Sequence, residues 1–241
     1  MKFSILILSI VLLGLSACQK QKRPAADVNI VFHHSISNQP LTIGPKSYVN
    51  AAGNQYSVDL LKYYLSHLIL RNENGSEFAL NNYMLIDASD PATCQELAIQ
   101  VPNGTYTSLR FYLGIDSAKN YSLAQGGDLD PMYGMFWSWN TGYIFFKHEG
   151  EFIKSNGNTA QILFHLGTDK AYTAVEVPIN LTVEGSSKVL NINFDLGKMY
   201  NLPLIDFNVD SVRQSTDAAD SLWIENMKSN LQDAFQFAGE Q

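Results

Sequence analysis

YIFFKHEGEFIKSNGNTAQILFHLGTDKAYTAVEVPINLTVEGSSKVLNINFDL, Tyr143 to Leu196, is the run whose reading decides the fold. It holds four strand candidates, YIFFKHE, AQILFHLG, TAVEVPINLTV and KVLNINFDL, with turn residues between them. Upstream, VNIVFHHS puts Val28, Ile30, Phe32 and His34 on one face of a strand. YMLID, ELAIQV and SLRFYLG are further short strands, with PNGTY as a turn between the last two. The end of SVDLLKYYLSHLIL runs through NENG into SEFAL, a hairpin with Asn74-Gly75 at its turn. Its start is ambiguous and also fits a helical turn capped by Ser57. About nine or ten closely spaced strands result, with little helical periodicity before residue 215. The expectation is an all-β, antiparallel β-sandwich or Greek-key-like domain.

Two segments depart from this pattern. Gly114 to Gly134 is long, rich in Gly and Asp, and without periodicity, as functional loops are. The tail STDAADSLWIENMKSNLQDAF keeps Leu222, Trp223, Met227, Leu231 and Phe235 at helical spacing, with Thr216 or Asp217 as cap and Trp223 pinning the helix to the sheet. The organisation read from the chain is a signal segment over 1–18, a tether over 19–26, a β domain over 27–212 and a C-terminal helix over 213–241.

MKFSILILSIVLLGLSAC begins with Lys2, continues with an apolar run too short to span a bilayer, and ends in small residues before Cys18. It reads as a secretory signal and resembles the lipobox of bacterial lipoproteins. That resemblance implies cleavage before Cys18 and acylation there, with enough acyl chains for stable anchoring in the cell envelope, at the periplasmic or outer-membrane face. Cys94 is then the sole remaining thiol, so no disulfide forms within the chain. It reads as a neutral loop residue.

The 241 residues carry 16 Lys and Arg against 23 Asp and Glu. Losing Lys2 with the signal leaves 15 against 23, a balance of −8. So acidic a chain has no footprint for nucleic acid. Nucleophile-elbow, zincin, P-loop and dinucleotide motifs are absent, and no enzyme is expected. Asp116, Asn120, Asp128 and Asp130 fail the calcium-loop pattern and read better as Asx turns. Five histidines, His33, His34, His67, His148 and His165, lie in or beside strands. His34 and His165 stand at strand ends, where sites form in sandwiches, and neutral imidazole suits copper, zinc and nickel. Trp137 and Trp139, two positions apart, project to one face if extended. They are either core aromatics or part of a site.

From Val28 to about Tyr200 the chain resembles the MbnP-like family of exported copper-binding proteins. FHHS, YSVDLLKYYLSHLIL, LRFYLGIDSAKN and FHLG carry part of the likeness, and GGDLDPMYGMFWSWNTGYIFFKHEG is its most specific block. The resemblance implies a β-rich fold outside the cytoplasm and copper as the associated metal. It further implies a dihaem peroxidase-like partner, MbnH, that oxidises a tryptophan to kynurenine. The residues it singles out are His34 and His165 as metal ligands, with Trp137 or Trp139 as the modified residue. His67 stands where the pattern leads one to expect Asn, and the cysteines many members carry near HLG are missing from HLGTDK. Indole offers only a donor, whereas kynurenine offers an aniline nitrogen and a ketone. The function expected is therefore a lipoprotein that holds or transfers copper. The alternative is a surface module that recognises a glycan or a partner protein without metal.

Overall fold

A computed structural model describes residues 24–122, 125–137, 142–215 and 220–241. Fourteen strands lie among these residues: β1 (Ala25–Ile36), β2 (Gln39–Pro40), β3 (Gly44–Val49), β4 (Gln55–Val58), β5 (Leu60–Asn72), β6 (Glu77–Asp87), β7 (Gln95–Pro102), β8 (Gly104–Leu113), β9 (Ile144–Ile153), β10 (Thr159–Gly167), β11 (Thr173–Val183), β12 (Lys188–Asp195), β13 (Val212–Gln214) and β14 (Phe235–Glu240). Two α-helices join them, the single-turn α1 (Ser117–Asn120) and α2 (Ser221–Ala234).

The strands form two sheets. In the first, the order is β14-β12-β1, and both β7 and β2 pair with the far edge of β1. In the second, β5 is the hub. Strand β6 runs along one edge of β5; on the other edge β9 pairs with Leu60–Tyr63 and β8 with Leu65–Asn72. The sheet extends from β8 to β11 and from β9 to β10 and β13. The all-β sandwich is as the turn spacing leads one to expect, and most pairs are antiparallel. Two are parallel, β1 with β12 and β10 with β13.

Alternation sets the core. On β1, Ala26, Val28, Ile30 and Phe32 are buried and their neighbours are less so. Phe32, Phe194 and Phe235 from the first sheet meet Tyr63, Phe111 and Phe146 from the second. Ring centroids lie 5.9 Å apart for Phe32 and Phe111, 5.3 Å for Tyr63 and Phe194, and 5.0 Å for Phe111 and Phe235. Such edge-on and tilted contacts add to the area that aromatic rings bury.

Three local readings change. SVDLLKYYLSHLIL is strand and not helix, divided between β4 and β5 at Asp59 and irregular at His67, because burial on both faces of β5 overrides any helical start. Ser57 caps nothing; its hydroxyl bonds Asp59. The 114–134 segment is not bare loop, since it contains α1 and two 3-10 turns. At the C-terminus, α2 buries Trp223, Ile224, Met227, Leu231 and Ala234, whereas Leu222 is exposed. Phe235 does not continue the helix but opens β14, which pairs with β12 from Phe194 to Leu190. The 213–241 segment is thus woven into the sandwich. The proposed caps Thr216 and Asp217 lie outside the described residues.

Candidate functional site

β9 and β10 form a hairpin in which His165 lies opposite Lys147 and Phe164 opposite His148. Period-two alternation sends these pairs to opposite faces. Phe164, His148 and Phe146 point into the core and are fully buried. Lys147, Glu149 and His165 point away from it. There the His165 Nε2 meets Glu149 Oε1 at 2.8 Å, and Lys147 Nζ lies 3.4 Å from the same oxygen. A carboxylate only accepts, so the imidazole proton sits on Nε2 and Nδ1 carries the lone pair. His165 is 8% exposed. Burial holds its pKa below the ordinary histidine value, although Glu149 pulls the other way. Burial works to raise the Glu149 carboxyl, but hydrogen bonds from His165 and Lys147 bring it down.

A chain segment lies against this side of the hairpin. Lys147 Nζ donates to Gly134 O at 3.3 Å, and Ile144 N–H to Met135 O at 2.8 Å. Trp137 follows, its backbone N–H donating to Gly142 O at 3.2 Å, and the residue is 4% exposed. The ring packs on Gly167, two residues beyond His165. A Cβ at Gly167 would stand 2.4 Å from Trp137 Cη2 and 2.6 Å from Cζ3. The glycine of FHLG is there because an indole occupies the place of its side chain. Trp139 lies outside the described residues, as does Cys18.

His34 is placed otherwise. Its Nε2 is 2.9 Å from Tyr63 Oη, and its ring contacts Tyr63 and Phe194 edge-on. Tyr63, Phe146 and Leu166 lie side by side on β5, β9 and β10 by register. Their face is the core face, the reverse of the one His165 occupies. His34 and His165 therefore lie on opposite sides of the second sheet. Burial, with His33 adding to it, lowers the His34 pKa to about 4.

The remaining histidines have local partners. His33 bonds Asn191 Oδ1 at 2.8 Å. His148 Nδ1 meets Tyr200 Oη at 2.5 Å inside the core, and burial lowers its pKa to about 3. His67, with a positive φ of 53°, meets Asp116 Oδ2 at 3.1 Å, and Tyr83 Oη donates to the same oxygen. The acidic residues of the 114–134 segment act as turn and strand anchors. Asp116 accepts from Lys119 N, Asp130 from Met132 N and Asp128 from Leu85 N. Among the described residues no group of three or more His, Cys, Asp or Glu is disposed to hold a metal ion. Cys94 stands in the loop between β6 and β7, as expected; it is buried there, and its Sγ donates to Asp87 O at 3.4 Å.

Tests of metal fit give a divided answer. His165 has the form of a ligand, with a neutral ring, a carboxylate on the far nitrogen and an indole nearby. The pair of imidazoles facing one ion does not form. Sequence reasoning missed Glu149 and Lys147. The alternation in FKHEGEF puts Phe146, His148, Gly150 and Phe152 on one face and Lys147, Glu149 and Glu151 on the other, but only the hairpin register sets which of these meets His165.

The molecule is thus of the all-β sandwich class, with a carboxylate-bonded histidine on a hairpin beside a buried tryptophan. The family model MbnP matches residues 25–219, and the chain belongs to the MbnP family, which is linked to methanobactin and copper handling. Among solved structures, MbnP from Methylosinus trichosporium is similar in fold, with a TM-score of 0.55 at 16% identity, over 80% of this chain and 81% of that one. No curated protein matches.

Proposed function

We propose that this chain is an exported, lipid-anchored copper-binding protein that holds or passes on the metal and carries out no turnover of its own. The observation that carries the reading is the His165–Glu149 pair beside Trp137 on Gly167. With its proton held on Nε2, His165 presents Nδ1 as a donor to copper, and the carboxylate behind it raises its basicity. Copper accepts imidazole readily. Indole in its native form is no ligand. Oxidation of Trp137 to kynurenine by a dihaem partner would place an aniline nitrogen and a ketone on the same side of the hairpin as His165. Family membership supports copper as the metal. His34 in this conformation serves the core.

The test is a Cu(I) competition titration of the full-length chain and two variants. His165→Ala is expected to lose tight stoichiometric binding, and His34→Ala to keep it. Retention of binding by His165→Ala defeats the proposal. Loss of binding in a folded His34→Ala protein also defeats it, because both imidazoles would then be ligands. Intact mass after co-expression with the dihaem partner tests the kynurenine step, and an unchanged mass rejects it.

A further inference from the structure

Tyr112 on β8 and Tyr172, which leads into β11, lie face to face on the outer side of the second sheet. Tyr112 stands opposite Ala174, so Tyr172 is its diagonal neighbour on the same face. The ring centroids are 4.8 Å apart and the planes lie within 5° of parallel. Both residues are half-buried, so an oxidant at the surface can draw electrons from them. Ser66 Oγ donates to Gly114 O at 2.8 Å and therefore accepts from the Tyr172 hydroxyl, 3.4 Å away.

No other pair among the described tyrosines has this geometry. Tyr48 with Tyr56, Tyr56 with Tyr200 and Tyr64 with Tyr143 meet tilted or edge-on, with centroids 5.9, 6.0 and 5.8 Å apart. All of those residues are buried. The difference matters for the chemistry of an oxidised phenol. A tyrosine that loses an electron and its hydroxyl proton keeps the unpaired spin in π orbitals, largely on the oxygen and the Cε carbons beside it. Those orbitals stand perpendicular to the ring. Parallel rings point them at each other, and edge-on rings do not. Two radicals held so are joined by proximity instead of diffusion.

We infer that Tyr112 and Tyr172 are the site of an oxidative cross-link, a dityrosine that ties β8 to the start of β11. The oxidant is of the haem peroxidase class, which takes one electron at a time and consumes one hydrogen peroxide. Each tyrosine gives up an electron and its phenolic proton. A carbon–carbon bond forms between a Cε of each ring, and the two hydrogens there shift to the oxygens to restore both phenols. The peroxide O–O bond breaks, and the two electrons and two protons convert it to two waters. The cross-link fixes the 3-10 turn Asp169–Ala171, which Tyr172 closes through its N–H to Asp169 O. That turn follows Gly167, on which Trp137 packs. Among the described residues Cys94 is free, and no disulfide ties these strands. The inference rests on neither copper nor His165.

The test treats the full-length chain in detergent, without copper, with a plant haem peroxidase and one equivalent of hydrogen peroxide. The expected product is a monomer lighter by the mass of two hydrogen atoms, with dityrosine fluorescence. Protease digestion should release the Tyr112 and Tyr172 peptides joined. Tyr112→Phe and Tyr172→Phe keep the stacked ring but lack the phenol, and each should abolish the product. Tyr121→Phe, at a residue 45% exposed, should leave it intact. The inference is overturned if the monomer mass does not fall, if the joined peptides are others, if either of the first two variants still forms the product, or if covalent dimers form in its place.

Discussion

His148 and His34 make the molecule acid-sensitive by an effect confined to single residues. Both are held neutral by burial, with pKa values lowered to about 3 and about 4. In the unfolded chain each takes up a proton near the ordinary value of about 6.5. Below that pH the unfolded state binds protons that the folded state refuses, so stability falls as pH falls. Above it both states are neutral and the term vanishes. Each histidine should contribute a slope of up to about 1.4 kcal/mol per pH unit between about 6.5 and its folded value. Urea unfolding at pH 7, 6, 5 and 4.5 is expected to show the midpoint dropping at each step. A flat profile would refute the buried placement of both rings. Gly167 offers a second residue-scale test. Gly167→Ala drives a methyl into the Trp137 ring and sits 2.6 Å from Tyr143 O. It should cost about 1–3 kcal/mol and shift tryptophan emission to the red as the indole is displaced. Of the site, FHLG and the tryptophan block could be singled out from their residues. The partner of His165 could not, because it depends on which hairpin register β9 and β10 adopt.

At the scale of elements, β14 is the piece that the pattern of residues concealed. Phe235 continues the helical spacing of Trp223, Met227 and Leu231, and nothing in FQFAGE announces a strand strongly. Tertiary context decides: Phe235 finds Phe194 at 4.7 Å and Phe111 at 5.0 Å only if the chain turns extended there. Propensity yields to packing in such short segments. Phe235→Ala should therefore cost about 3–5 kcal/mol, the range for deleting a buried aromatic ring, with chemical denaturation as the measurement. A loss below 1 kcal/mol would place this strand outside the core. The run of β11 was legible for the opposite reason, since one face is buried and the other wet along its length, and β1 alternates in the same sense from Ala25 to Phe32.

The whole molecule behaves as one body by this topology. The first strand pairs with β12, and the last strand pairs with β12 from its other side. Helix α2 rests on the second sheet through Trp223, whose ring lies 5.9 Å from Phe164. Among the described residues the C-terminal helix and strand are packed and paired with the rest, so thermal unfolding should give a single transition with equal calorimetric and van't Hoff enthalpies. Two resolved transitions would contradict that connectivity. The overall sandwich was visible from strand spacing alone. The parallel pairings were not, because local alternation is blind to the direction of a distant neighbour.

That distance has a bearing on biogenesis. His33 and its neighbour Asn191 on β12 are 158 positions apart. During synthesis β1 emerges first, yet half of its hydrogen-bonding edge waits for nearly the entire remainder to appear. Closing so long a loop is slow and entropically costly. A nascent chain halted near residue 180 should accordingly remain open to protease, and only release of the finished polypeptide should confer resistance. Delayed closure of this kind would serve the export proposed for this chain, since a channel passes an unfolded polypeptide.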